Sequence, residues 1–172
     1  MSLPAIGMPV IATCPARLDL SGGWTDTPPI CYEMGGKVVD LAIMVDGEQP
    51  IGCKVLRKQE LSISINLDNG NSVQISSLED LRDYCNPNAP GALIKCCLIA
   101  AKIVSIEASE AFEEQLIKVS QGGLDIYLWS NLPQGSGLGT SSILAGACLA
   151  ACWTSVGLQY TRQRCYAKGI GY

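Results

Sequence analysis

Residues 131–142 read NLPQGSGLGTSS, with Gly135, Gly137 and Gly139 at alternate positions directly ahead of Thr140, Ser141 and Ser142. A backbone this bare can curl around a ligand with no Cβ in the way. The apolar, small-residue run ILAGACLAACW that follows predicts a helix from about Thr140 to Trp153. A helix start offers free N–H groups and the positive end of a dipole, so strand, glycine loop and helix in succession form an anion cradle. One such contact contributes only about 0.3–1 kcal/mol at an exposed site. A useful cradle must therefore gather several N–H groups, and the hydroxyls behind it can reach a phosphate oxygen or a metal bound to one. The chain contains no histidine. A Ser-His-Asp or Cys-His nucleophile cannot be built, and acid-base work falls to Asp, Glu, Lys or Tyr.

Two familiar phosphate loops do not fit. The pattern G-x-x-x-x-G-K-[ST] fails because no lysine follows Gly139. The pattern G-x-G-x-x-G fails at its third glycine, where Thr140 stands, and no acidic residue lies about 20 positions further on.

A second chemical stretch lies far upstream, CPARLDLSGGWTDTPP at 14–29. Gly22-Gly23 gives a turn with exposed backbone that a polyhydroxylated ring can approach. Asp26 is a two-oxygen acceptor suited to hydroxyl groups, or an Asx-turn residue ahead of Pro28-Pro29. Arg17 is a permanent cation that can steady phosphate charge, or a member of a surface ion pair. Trp24 is either a stacking platform or a core residue.

The segment from Pro133 to Ser141, P-x-G-x-G-L-G-[ST]-S between a strand and an Ala-rich helix, resembles the phosphate loop of the GHMP kinases. The upstream stretch, with its Pro-x-Arg start and its GG-x-TD-x-PP end, is similar to the first motif of that family. It looks like the branch holding L-fucose kinase and bacterial heptose kinases; GGKVVDLAI at 35–43 continues the likeness. The resemblance implies ATP and Mg²⁺ as cofactors. Pro133, Gly135, Ser136, Gly137, Leu138, Gly139, Thr140 and Ser141 would hold the nucleotide phosphates, with Ser141 beside Mg²⁺. It implies Gly22, Gly23, Trp24 and Asp26 against a sugar, and Arg17 as the charge-stabilising catalytic residue. The implied reaction transfers phosphate to the anomeric hydroxyl of L-fucose. A manno-heptose substrate and a non-catalytic nucleotide-binding or regulatory module stand as alternatives.

The implied fold is α+β, an N-terminal kinase domain related to domain 2 of ribosomal protein S5, with a mixed or antiparallel sheet and helices. Members of the family carry a second, C-terminal domain and a catalytic Asp beyond the glycine loop and its helix. Here no Asp or Glu follows Asp125. The expectation is that these residues supply the first domain alone, bind nucleotide weakly and do not turn over.

The elements that must hold these residues are legible from periodicity. Residues 9–20 predict two short strands around Pro15, and VVDLAIMV at 38–45 predicts a buried strand. Residues 51–56, 61–67 and 72–76 alternate and predict an antiparallel meander with one wet face, with a turn at DNGN, 68–71. Ser77 and Asp80 predict a capped short helix through Tyr84. Apolar spacing predicts a long helix over 92–108, another over 110–119 closed by Gly122-Gly123, and a strand over 123–130. Residues 8–153 form one nucleotide-binding domain on this reading, with 154–172 an unassigned basic tail.

Composition agrees with a cytosolic globular protein. The chain has 172 residues, 48% hydrophobic and 16% charged, and a net charge of −4. An acidic balance of this kind does not collect nucleic-acid phosphates. The apolar run from Ile143 to Trp153 is too short to cross a bilayer. Nine cysteines without a C-x-x-C pair predict reduced thiols, with Cys148 and Cys152 buried on one helical face.

Overall fold

The structure is a computed structural model and describes residues 2–67, 70–133, 135 and 138–158. A mixed sheet of five strands carries the core. The strands are β1 (Pro9–Cys14), β4 (Ile51–Lys58), β5 (Ile63–Asn66), β6 (Ser72–Ile75) and β7 (Gly123–Ser130). Their spatial order is β1-β4-β7-β5-β6, and every pairing is antiparallel except β5 with β7. The remaining strands, β2 (Ala16–Ser21) and β3 (Val39–Ile43), form a separate antiparallel ribbon. Pro15 separates β1 from β2, as its missing N–H predicts.

Alternation divides the large sheet into two faces. Cys53 and Val55 of β4, Ile63 and Ile65 of β5, and Leu124, Ile126 and Leu128 of β7 point into the core. The intervening residues make the wet face. There Lys58 Nζ reaches Asp125 Oδ1 at 2.8 Å and Ser64 Oγ at 2.7 Å, and Lys54 Nζ sits 4.3 Å from the Tyr127 ring centre. Helices α2 (Ala92–Ala100), α3 (Phe112–Ser120) and α4 (Thr140–Ser155) are built into the core side, while α1 (Ile30–Glu33) is a single exposed turn. Trp153 of α4, fully buried, donates its indole N–H to Ala101 O at 3.2 Å and so joins α4 to the end of α2. Cys148 and Cys152 of α4 are buried, as are Cys53 and Cys97, and Cys148 Sγ is 3.9 Å from Cys152 Sγ. Neighbouring thiols, Cys152 first, and burial push the Cys148 thiol well above its ordinary range.

Four expectations change. The three strands predicted as a meander are not consecutive neighbours, because β7 inserts between β4 and β5 and runs parallel to β5. Only β5 and β6 form the expected hairpin; of its turn, Asp68 and Asn69 lie outside the described residues, and Gly70 donates to Leu67 O at 3.0 Å. The strand expected to be buried, β3, is largely exposed, with Val39 and Leu41 about half accessible. It pairs only with β2, and no third layer covers the ribbon's apolar side among the described residues. The helix expected over 92–108 stops at Ala100. Lys102 turns left-handed at φ +58, and Lys102 and Ile103 donate back to Ile99 O and Leu98 O, a 5→2 and 6→1 closure. Finally, the segment opened by Ser77 and Asp80 is a 3₁₀ helix, Glu79–Cys85. The Asp80 carboxylate accepts from Ser76 N at 2.9 Å and from Ser77 N and Oγ at 3.0 Å, which holds it below the usual carboxylate range.

Candidate functional site

Alternation along β2 decides which of its side chains can meet a ligand. Arg17 and Asp19 share one side of the ribbon, while Leu18 shares the other with Val39 and Leu41 of β3. After β2 the chain makes the Gly22-Gly23 turn. Gly22 has φ +82, and a Cβ there would overlap the Lys37 carbonyl. Thr25 ties this turn to the start of β3: its hydroxyl donates to Gly22 O at 2.6 Å and accepts the Lys37 N–H at 3.2 Å. Thr27 N–H and hydroxyl both reach Trp24 O, at 3.2 and 2.6 Å. Trp24 is thereby held at φ +72, a conformation uncommon for a bulky residue, and its side chain is 80% exposed.

At the other end, Gly139 caps α4 at φ +67, with no side-chain cap and no acidic residue in the first turn. The N–H groups of that turn are thus left for water or a ligand. The Arg17 side chain comes up against this cap. A Cβ on Gly139 would lie 3.2 Å from Arg17 Nε and 3.3 Å from both Cζ and Nη2. Arg17 Nη1 lies 3.5 Å from Asp40 Oδ2. Arg17 Nε is buried and has no hydrogen-bond partner among the described residues. A cation beside the positive end of a helix is unfavourable on its own. Both groups are offset if one anion sits between them.

The two stretches that lie more than a hundred residues apart share one cavity of about 520 Å³. Arg17, Asp19, Gly23, Trp24, Asp26 and Thr27 line it from one side, and Gly135, Leu138, Gly139, Thr140, Ser141 and Ser142 from the other. That volume is within the usual range for a small-molecule site. Neither Asp19 nor Asp26 has an ion pair or side-chain hydrogen bond among the described residues. The cavity therefore offers, among the described residues, carboxylate acceptors and a guanidinium on one wall and N–H donors on the other.

Of the residues singled out from sequence, Arg17, Gly23, Trp24, Asp26, Gly135, Leu138, Gly139, Thr140 and Ser141 line this cavity. Gly22 and Pro133 do not; Gly22 shapes the turn behind it. Ser136 and Gly137 lie outside the described residues. Trp24 is not a core residue, and Arg17 combines both of its alternatives, an ion pair and a place at the glycine loop. Sequence reasoning missed Asp19 and Asp40. Asp19 was open to the same period-two argument as Arg17, whereas Asp40 needed the β2–β3 register. Among the described residues no group of three metal-binding side chains forms, and no helix is long and apolar enough to cross a membrane.

The family model for the N-terminal domain of GHMP kinases matches residues 99–169, which takes in the glycine loop and α4 and runs into the tail left unassigned above. The chain is 41% identical over 133 residues to a bifunctional fucokinase/GDP-fucose pyrophosphorylase of Arabidopsis thaliana, covering 77% of this chain and 12% of that protein. It is 37% identical over 152 residues to an L-fucokinase/L-fucose-1-P guanylyltransferase of Bacteroides fragilis, covering 86% and 16%. The chain thus spans less than a fifth of the length of these two relatives. Among solved structures, Methanococcus jannaschii mevalonate kinase matches with a TM-score of 0.66 at 17% identity, over 95% of this chain and 45% of that one. Lactococcus lactis galactokinase complexed with galactose matches at 0.63 and 17%, over 95% and 39%. These likenesses show the fold, mixed α+β with a mixed sheet, and the family model and the two fucokinase relatives show that the chain is similar to the GHMP kinases over the stretches they match.

Proposed function

We propose that this chain forms the nucleotide- and sugar-facing part of an ATP-dependent sugar kinase that phosphorylates the anomeric hydroxyl of L-fucose. The observation that carries the reading is that one cavity is lined by an uncapped helix start and, without partners among the described residues, a guanidinium nitrogen and two carboxylates. A triphosphate needs the first pair of features and a polyol needs the second. The names of the two relatives at 37 and 41% identity favour L-fucose as the polyol.

Phosphoryl transfer is largely a matter of position and charge. The first-turn N–H groups of α4, with Gly135, Leu138 and Gly139, would hold the phosphates of ATP, and Ser136 and Gly137 are proposed to complete that loop. Arg17 would offset the charge that develops on the transferred group. Asp26 would accept hydroxyls of the sugar, and Trp24, already exposed over the cavity, would cover its apolar face. Mg²⁺ binds chiefly through substrate phosphates and retains several waters, so one protein hydroxyl, that of Ser141, suits it. When bound it neutralises charge between the terminal phosphates.

Isothermal titration with Mg²⁺ and a non-hydrolysable ATP analogue, followed by L-fucose, D-mannose and a manno-heptose, tests the reading. We expect saturable nucleotide binding and a preference for L-fucose. Asp26→Asn should remove sugar binding while nucleotide affinity stays within about twofold, because the carboxylate meets the polyol end alone. Equal response to all three sugars would sink the substrate assignment, and no nucleotide response would sink the kinase reading.

A further inference from the structure

We infer that Asp40 is a positioning residue that holds Arg17 against the glycine-loop helix, and that it does so for the terminal phosphate of the nucleotide. The inference rests on the nucleotide reading above. In the ribbon register Arg17 stands opposite Ala42, and Asp19 stands opposite Asp40. Asp19 and Asp40 are like charges directly across an antiparallel pair, which is unfavourable unless a cation joins them. Asp40 meets that need diagonally: its Oδ2 lies 3.5 Å from Arg17 Nη1.

This leaves the opposite edge of the guanidinium turned elsewhere. A Cβ on Gly139 would meet Nε, Cζ and Nη2, not Nη1, and Nε is buried without a partner among the described residues. An arginine on a long, flexible stem would not stay beside the positive end of α4 unaided. Asp40 takes one nitrogen and fixes the plane of the fork, so that the remaining edge is presented at the start of the helix. A phosphate oxygen placed there would complete the hydrogen bonding of Arg17 while Asp40 keeps its own contact. The ribbon contributes Arg17, Asp19 and Asp40, and the loop contributes Gly139, so this contact is also where the sugar-facing and phosphate-facing walls touch.

The role predicts a split that loss of stability alone would not produce. Affinities for β,γ-imido-ATP and for ADP, each with Mg²⁺, should be measured on the full 172-residue chain and on Asp40→Asn, Asp40→Ala and Asp40→Glu. Asp40→Asn and Asp40→Ala should lower the preference for the triphosphate over ADP by about tenfold, the effect of losing one charge-assisted hydrogen bond. Their affinity for ADP should be retained, and Asp40→Glu should recover most of the preference. An unchanged triphosphate-to-ADP ratio in Asp40→Asn, or an equal fall for both nucleotides, overturns this inference and leaves the kinase reading standing. Failure of the unaltered chain to bind either nucleotide overturns both.

Discussion

Gly139 offers a measurable contrast with Gly146, about two turns further along the same helix. At Gly139 the backbone is left-handed at φ +67, and an added Cβ would sit 3.2–3.3 Å from three atoms of the Arg17 guanidinium. An L-residue in that conformation costs about 1–2 kcal/mol. The contact adds little to folding, because the far end of an arginine can give way by a few tenths of an ångström. It gives way, however, by leaving the position from which it would meet a phosphate. At Gly146 an added Cβ meets nothing within 4 Å, and the residue lies inside α4. There Gly→Ala should stabilise by roughly 0.5–1 kcal/mol through the lower entropy of the unfolded chain. Gly139→Ala should therefore lower the melting temperature by about 2–8 °C, given the usual 2–4 °C per kcal/mol for a chain of this size. Gly146→Ala should raise it by roughly 1–4 °C on the same scale. Circular dichroism melts read both, and a nucleotide titration on each variant separates loop geometry from stability. Gly139→Ala should weaken nucleotide binding, and Gly146→Ala should leave it alone. If both variants melt and bind alike, the capping geometry and the placement of Arg17 derived from it are wrong.

Further consequences concern charges away from the cavity. The Asp80 carboxylate is held below its ordinary range, chiefly by the Ser76 N–H. A depressed folded value means its contribution is present above the unfolded pKa of about 3.9 and fades as pH falls through the folded one. Asp80→Ala should cost on the order of 1 kcal/mol at neutral pH, by urea denaturation, and the deficit should shrink below about pH 4. Lys95, only 5% exposed, pairs with the partly exposed Asp83 at 2.6 Å. Asp83→Ala leaves that ammonium buried without its partner and should destabilise by about 1–3 kcal/mol, whereas Lys95→Met should be near neutral or stabilising. A larger loss for Lys95→Met than for Asp83→Ala would reverse the reasoning.

Local features of the fold were legible in the residues, and long-range ones were not. The strict alternation of GLDIYLWS, bounded by glycine, marks β7 over Gly123–Ser130, and Pro15 marks the break between β1 and β2. The place of β7 in the sheet is a different matter. Its insertion between β4 and β5 depends on a crossover through the 3₁₀ helix, α2 and α3, which no local pattern encodes. The overlong helix expected over 92–108 has a similar cause. Ile103 and Val104 are buried and keep helical spacing, but they sit beyond a left-handed lysine, a residue that carries no stop signal. The exposure of β3 was hidden because VVDLAI has the composition of a core strand, while its pairing with β2 alone leaves its apolar side uncovered. In the site, residue types and glycine spacing pointed to both walls separately. That the walls meet at Arg17 and Gly139, and that Asp40 stands behind Arg17, follows from strand register and helix capping.

The central claim is that Arg17 and the first turn of α4 grip one anion. A ¹⁵N-resolved NMR titration of the 172-residue chain with Mg²⁺ and β,γ-imido-ATP tests it most directly, because it observes both partners at once. The account predicts that the largest shifts fall on the Arg17 Nε–H and on the amides of Gly139, Thr140, Ser141 and Ser142, in step with one another. Shifts confined to other surfaces, or a loop response with Arg17 Nε–H unmoved, would contradict it.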